Sequence, residues 1–211
     1  MALDRDALVG KGWRFGVCFT PASAPALCDV IHTTCDDGSF FIAVTHDCSV
    51  VHPSLEAEPF IEWLLAVPIA NPDGQCTNAR SIRKLHFEVI REGQPIWCEV
   101  SMAQRGFVGR EGIGDSATCG VHALGADALA VLKRWLSNRY TTQTFPDSFN
   151  ERIKPLVNGR RSPLRRLFDD ELGQSCSGLY LSLSPHNEEL PKDEPYSITV
   201  VALFPESRAR S

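Results

Sequence analysis

The chain has 211 residues, of which 43% are hydrophobic and 22% charged, and its formal net charge is -5. That length and apolar content can bury a core without disulfide or metal staples, and they exclude a mostly disordered chain, a coiled-coil rod and a collagen-like chain. The negative balance excludes a globally basic nucleic-acid coat but leaves room for a local basic patch.

The opening residues, Met1-Ala2-Leu3-Asp4-Arg5-Asp6, carry acids and no continuous apolar run, so they do not read as a secretory signal. The longest apolar run, residues 63–70, is interrupted by Pro68 and falls well short of the roughly 18 residues a spanning helix needs. A cytoplasmic protein with no membrane partner is expected. The cysteines, Cys18, Cys28, Cys35, Cys48, Cys76, Cys98, Cys119 and Cys176, include no C-x-x-C pair, which argues against a redox motif and a zinc ribbon. Most read as small buried hydrophobes, Cys18 and Cys98 above all, because they sit inside apolar or alternating runs.

In chain order, residues 13–19 read as a short strand closed by Thr20-Pro21. Asp36-Asp37-Gly38 is a turn into Phe40-Phe41-Ile42-Ala43-Val44, apolar on both faces and so predicted to be a central strand. A third apolar segment covers 60–69 and ends at Asn71-Pro72-Asp73-Gly74. Residues 81–90 alternate imperfectly, and Glu92-Gly93 connects them as a hairpin to the strand at 96–100. Gly106, Gly109, Gly112 and Gly114 then suggest a flexible lead into a helix over 117–140, whose apolar stripe runs through Val121, Leu124, Ala128, Leu132 and Trp135. Shorter helices are predicted at 149–157 and 162–172, and strands return at 179–183 and 197–204.

These elements predict one α+β domain over 1–211: a mainly antiparallel sheet, able to curl into a barrel-like form, packed against one long and two short helices. Residues 1–101 form its strand-rich part and 102–173 a helical insertion. The strands of 174–211 are expected to return to the sheet.

The sharpest chemical feature is Thr45-His46-Asp47-Cys48, directly after the predicted central strand. A thiol becomes nucleophilic when a neighbouring base lowers its pKa and a third group orients that base. His46 and Cys48 would share a side of an extended backbone, whereas Asp47 would point away. His86 is the alternative base, and Glu62, His86 and Glu99 are alternative orienting groups on neighbouring strands. A cysteine-centred hydrolase or group-transfer enzyme acting on an anionic substrate is one reading. Asn78, Arg80, Arg83, Arg105 and Arg110 would then hold the substrate. No cofactor is expected on that reading; zinc on His32, Cys35, His46 and Cys48 is the competing one, with spacing unlike a standard zinc knuckle. A third treats Cys48 as a packed strand-end residue and Asp47 as a turn starter, which requires no function.

Two further features carry alternatives. Cys119 and His122, three apart, would face each other on the first helical turns. Arg152, Lys154, Arg160, Arg161, Arg165 and Arg166 concentrate positive charge on an acidic chain. Guanidinium groups suit phosphate, so an anion- or nucleic-acid-binding accessory module is a second functional expectation. A protein-interaction domain, including a homo-oligomer, is the third.

Overall fold

The alternating apolar segments of the first hundred residues pair into one antiparallel sheet. The computed structural model describes residues 2–141, 145–157 and 178–204, which fall into two compact units, Met1–Thr142 and Gln143–Ser211. In the first unit the strands are β1 (Cys18–Phe19), β2 (Phe40–Ala43), β3 (Phe60–Ile69), β4 (Lys84–Arg91), β5 (Gln94–Gly109) and β6 (His122–Ala123). Their order across the sheet is β1-β2-β3-β5-β4-β6. Its helices are α1 (Arg5–Gly10), α2 (Pro25–Cys28), α3 (Asp47–Val50) and α4 (Ala126–Thr141).

The two ends of this sheet approach each other. The Cys119 N–H, just before β6, donates to the Cys18 carbonyl of β1 at 2.7 Å. The Phe40 ring of β2 stacks on His122 of β6 with centroids 4.0 Å apart. The result is a nearly closed antiparallel sheet with helices against it, an α+β fold.

Side-chain alternation divides the core in two. Phe40 and Ile42 join Leu64, Leu85, Val100, Leu132 and Trp135 in one cluster, while Phe41 and Ala43 join Trp13, Phe19, Trp63 and Val108 in the other. Strand β2 is therefore buried on both faces, as its unbroken apolar run predicts. Each large side chain so buried contributes about 1.5–3 kcal/mol.

Three boundaries differ from the sequence reading, the first being β1, which covers only Cys18–Phe19 where a strand over 13–19 was expected. Strand β5 runs through Gly106 to Gly109, where a flexible lead was expected. Pairing with β3 accounts for this, and the glycine has a packing reason: a Cβ on Gly106 would lie 2.7 Å from the Trp63 ring. Helix α4 begins at Ala126 rather than near 117. Gly120 and Gly125 weaken the early turns, and the 122–123 backbone instead pairs with Ile90 and Arg91 of β4.

The second unit holds α5 (Asp147–Val157), β7 (Gly178–Ser184) and β8 (Ser197–Leu203). Strands β7 and β8 pair with each other and do not return to the larger sheet. That sheet closes β1 toward β6 through the contacts above, which leaves little edge for further strands. Glu189 accepts the Asp147 and Ser148 N–H groups at 2.6 and 2.8 Å and so caps α5. Phe149 packs edge-on against Tyr196 at 5.5 Å. The expected helix over 162–172 lies outside the described residues. Among the described residues no helix is long and apolar enough to cross a membrane.

Candidate functional site

A cleft of about 360 Å³ opens where β2, β3 and β5 meet α4, and its walls carry His46, Glu62, Arg105, Lys133 and Tyr140 over a floor of Phe15, Val44 and Leu136. Strand register explains Glu62 and Arg105. Glu62 alternates onto the same face as Leu64, which is fully buried, so a carboxylate ends an otherwise apolar row. Arg105 lies opposite Leu64, just beyond an irregularity in the β3–β5 register. This makes it a diagonal neighbour of Glu62, within side-chain reach. Its Nη1 donates to Glu62 Oε1 at 3.3 Å and to the Tyr140 hydroxyl oxygen at 3.2 Å. The Glu62 N–H donates to Thr45 Oγ1 at 2.6 Å, tying the end of β2 to β3 beside the cleft.

His46 enters from the other side as the N-cap of α3, its Nδ1 accepting the Cys48 N–H at 3.3 Å. In the neutral ring the proton therefore sits on Nε2, which makes that atom a donor. Lys133, Leu136 and Tyr140 are spaced i, i+3 and i+7 on α4 and share one helical face. The Lys133 ammonium lies 5.0 Å from the Phe15 ring centroid, a cation–π distance.

The cleft thus gathers two permanent cations, an imidazole donor and a phenol around a single half-buried carboxylate. Burial raises the Glu62 carboxyl above its ordinary pKa, with Arg105 pulling the other way. A carboxyl held in this way can keep or exchange a proton nearer neutrality than an exposed one.

The remaining sequence candidates are dispersed. Cys48 is exposed and, with Asp47, lines a separate cleft of about 250 Å³ beside Trp13 and Arg14. Asp47 Oδ1 accepts the Phe15 N–H at 2.6 Å, so it anchors the chain before β1. His86 Nδ1 accepts the Asp73 N–H at 2.9 Å, and its Nε2 meets Glu99 Oε2 at 2.7 Å. Both ring nitrogens are thereby committed, with Nε2–H donating to Glu99. Lys84 shares that carboxylate at 2.8 Å.

The candidate substrate-holding residues divide similarly. Asn78 borders a third cleft with His86. Arg80 donates to the Gly74 carbonyl at 3.1 Å, and Arg83 is exposed. Arg110 is fully buried, its guanidinium donating to the His52 and Glu58 carbonyls. It clamps the 52–58 loop.

The four proposed zinc ligands are not gathered into one site. His32 is exposed, the Cys35 thiol donates to the Ser39 carbonyl at 3.2 Å, and His46 caps α3. Among the described residues no three histidine, cysteine or acidic side chains converge in a way that would hold a metal. Cys119 and His122 do meet, Sγ to Nδ1 at 3.6 Å, but on the approach to β6 rather than on a helix.

Of the basic segment, Arg152 donates to the Leu190, Pro191 and Glu194 carbonyls, and Lys154 pairs with Glu151. Arg160, Arg161, Arg165 and Arg166 lie outside the described residues. Lys133 and Tyr140 are the site residues the sequence reading missed; the signal was their shared face with Leu136, read there only as part of a helix.

No protein-family model matches this chain, and no curated protein or solved structure is significantly similar to it.

Proposed function

We propose that the first unit binds a small organic anion in the cleft between α4 and the ends of β2, β3 and β5. The supporting observation is the convergence of Arg105, Lys133, His46 and Tyr140 around Glu62 over the apolar floor of Phe15, Val44 and Leu136. Donors on a dry floor suit a carboxylate or phosphate attached to an apolar or aromatic body. If the anion is also transformed, Glu62 is the group placed to exchange a proton with it. A nucleophilic role for Cys48 has less support, because its thiol lies at another cleft and neither His46 nor His86 offers it a free acceptor nitrogen.

Calorimetric titration of the full chain with phenyl phosphate and benzoate tests this reading. Saturable binding is expected, with Arg105→Ala and Lys133→Ala each weakening it by about ten-fold. Affinity should rise as pH falls through the raised Glu62 pKa, because protonation removes the one negative charge in the cleft. Glu62→Gln should flatten that dependence. Absence of saturable binding, or binding indifferent to both cation substitutions, would overturn the proposal.

The seven described cysteines are all free, which supports a reducing compartment such as the cytoplasm.

A further inference from the structure

The seam where β1 meets the approach to β6 carries two cysteines and a histidine. Cys18 sits on β1 opposite Ile42, and Cys119 precedes His122 of β6. The Cys119 N–H donates to the Cys18 carbonyl at 2.7 Å, and standard bond lengths around that hydrogen bond hold the two Cα atoms within about 6.5 Å. A disulfide spans Cα separations of roughly 4.4–6.8 Å, so the backbones already stand at bridging distance. Both side chains pack in the cluster that holds Phe40 and Ile42, which puts them on the same face of the sheet. Burial, and then Cys119 and Cys98, push the Cys18 thiol well above its ordinary pKa, so the Cys18 and Cys119 thiols are within electrostatic reach of each other. Both are free.

The two thiols differ in access. Cys18 is fully buried, whereas Cys119 is half-buried and open to a small oxidant. His122 Nδ1 lies 3.6 Å from Cys119 Sγ. The His122 ring is 8% exposed, stacks on Phe40, and leaves its Nε2 buried without a partner. Packing alone does not account for a buried ring nitrogen left unpaired; thiol chemistry at the other nitrogen does. Burial, and then Arg91, lower the His122 pKa, so the ring is neutral near pH 7 and Nδ1 can accept the thiol proton.

We infer that Cys18 and Cys119 are a redox-modified pair, joined by a reversible disulfide on exposure to hydrogen peroxide, which latches β1 to the approach to β6. Cys119 passes its thiol proton to His122 Nδ1 and its sulfur attacks one peroxide oxygen. An S–O bond forms, the O–O bond breaks, and the departing hydroxide recovers the proton as water. The Cys18 sulfur then attacks the Cys119 sulfenic acid: the S–S bond forms, the S–O bond breaks, and hydroxide leaves as water with the Cys18 proton. Two thiols are oxidised and one peroxide is reduced to two waters. A small dithiol reverses the bond by exchange.

Peroxide treatment of the full chain, followed by thiol blocking, digestion without reductant and mass spectrometry, tests the inference. A peptide linking Cys18 to Cys119 is expected, and dithiothreitol should abolish it. Because the bond closes a loop of about 100 residues, the oxidised chain should unfold in urea at a midpoint higher by roughly 1 M or more. Cys119→Ser should remove both the link and the rise in midpoint. His122→Gln should slow formation of the link by about ten-fold, the loss of one proton acceptor. A Cys18–Cys98 link in its place, oxidation of Cys119 with no link, or a rise in midpoint that persists in Cys119→Ser would each overturn the inference.

Discussion

Glu62 and Glu99 show how neighbours on the same sheet push two carboxylates in opposite directions. At Glu62 burial dominates and raises the carboxyl pKa against the pull of Arg105. The folded state then holds its proton to higher pH than the unfolded chain, so stability falls as pH rises from the ordinary carboxylate range through the raised value. Glu62→Gln should therefore gain stability relative to wild type between acid and neutral pH, as measured by urea unfolding across that range. At Glu99 burial also acts upward, but hydrogen bonds and charge from Lys84 and His86 prevail and lower the pKa. Its contribution is present above the ordinary carboxylate range and is lost as pH falls through the lowered value. Glu99→Gln should cost about 1 kcal/mol at neutral pH, with the deficit closing in acid. Cysteine accessibility gives a third residue-scale outcome. Burial pushes Cys98 up to about 12 and Cys18 higher still, whereas Cys48 is exposed. Iodoacetamide on the folded chain should label Cys48 well before Cys18 or Cys98, as read by mass spectrometry of the peptides.

Among the elements, α4 ties the first unit's interior cluster to its loops. Leu132 and Trp135 are fully buried in that cluster, and Trp135 Nε1 donates to the Ser81 carbonyl at 2.6 Å. Trp135→Ala should cost about 3–5 kcal/mol in chemical denaturation. It should also weaken the anion binding proposed for the Glu62 cleft, which α4 borders. In β5 the constraint is steric. Gly106→Ala would press a methyl group against Trp63 and should cost about 1–3 kcal/mol. The central place of β2 was readable from its unbroken apolar run and the body of α4 from apolar periodicity, since burial on both faces leaves no polar position and burial on one helical face leaves its imprint at every third or fourth residue. The start of α4 and the extent of β5 were not. Pairing of 122–123 with β4, and of Gly106 and Gly109 with β3, overrode the local meaning of glycine.

At the scale of the whole molecule, both main hydrophobic clusters lie within the first unit. A chain ended at Thr142 should therefore still unfold cooperatively, with a Tm within a few degrees of the corresponding transition in the full chain, as followed by near-UV circular dichroism. Loss of cooperative unfolding would mean that the second unit completes the first one's core.

The sequence alone determined the fold class, the central place of β2 and the burial of Cys18 and Cys98, and it set His46 and Glu62 as polar residues within a strand-rich region. Those properties depend on residue type and local period, which the chain displays directly. Tertiary structure decided which polar groups meet. His46 turned from a partner of Cys48 into the cap of α3, and His86 gave both nitrogens to Asp73 and Glu99. Arg110 was drawn wholly inside, while Lys133 and Tyr140 came to the cleft from α4 some 70 residues beyond Glu62. Such meetings depend on sheet register and on the turn of a helix against it, and no spacing within one segment encodes them.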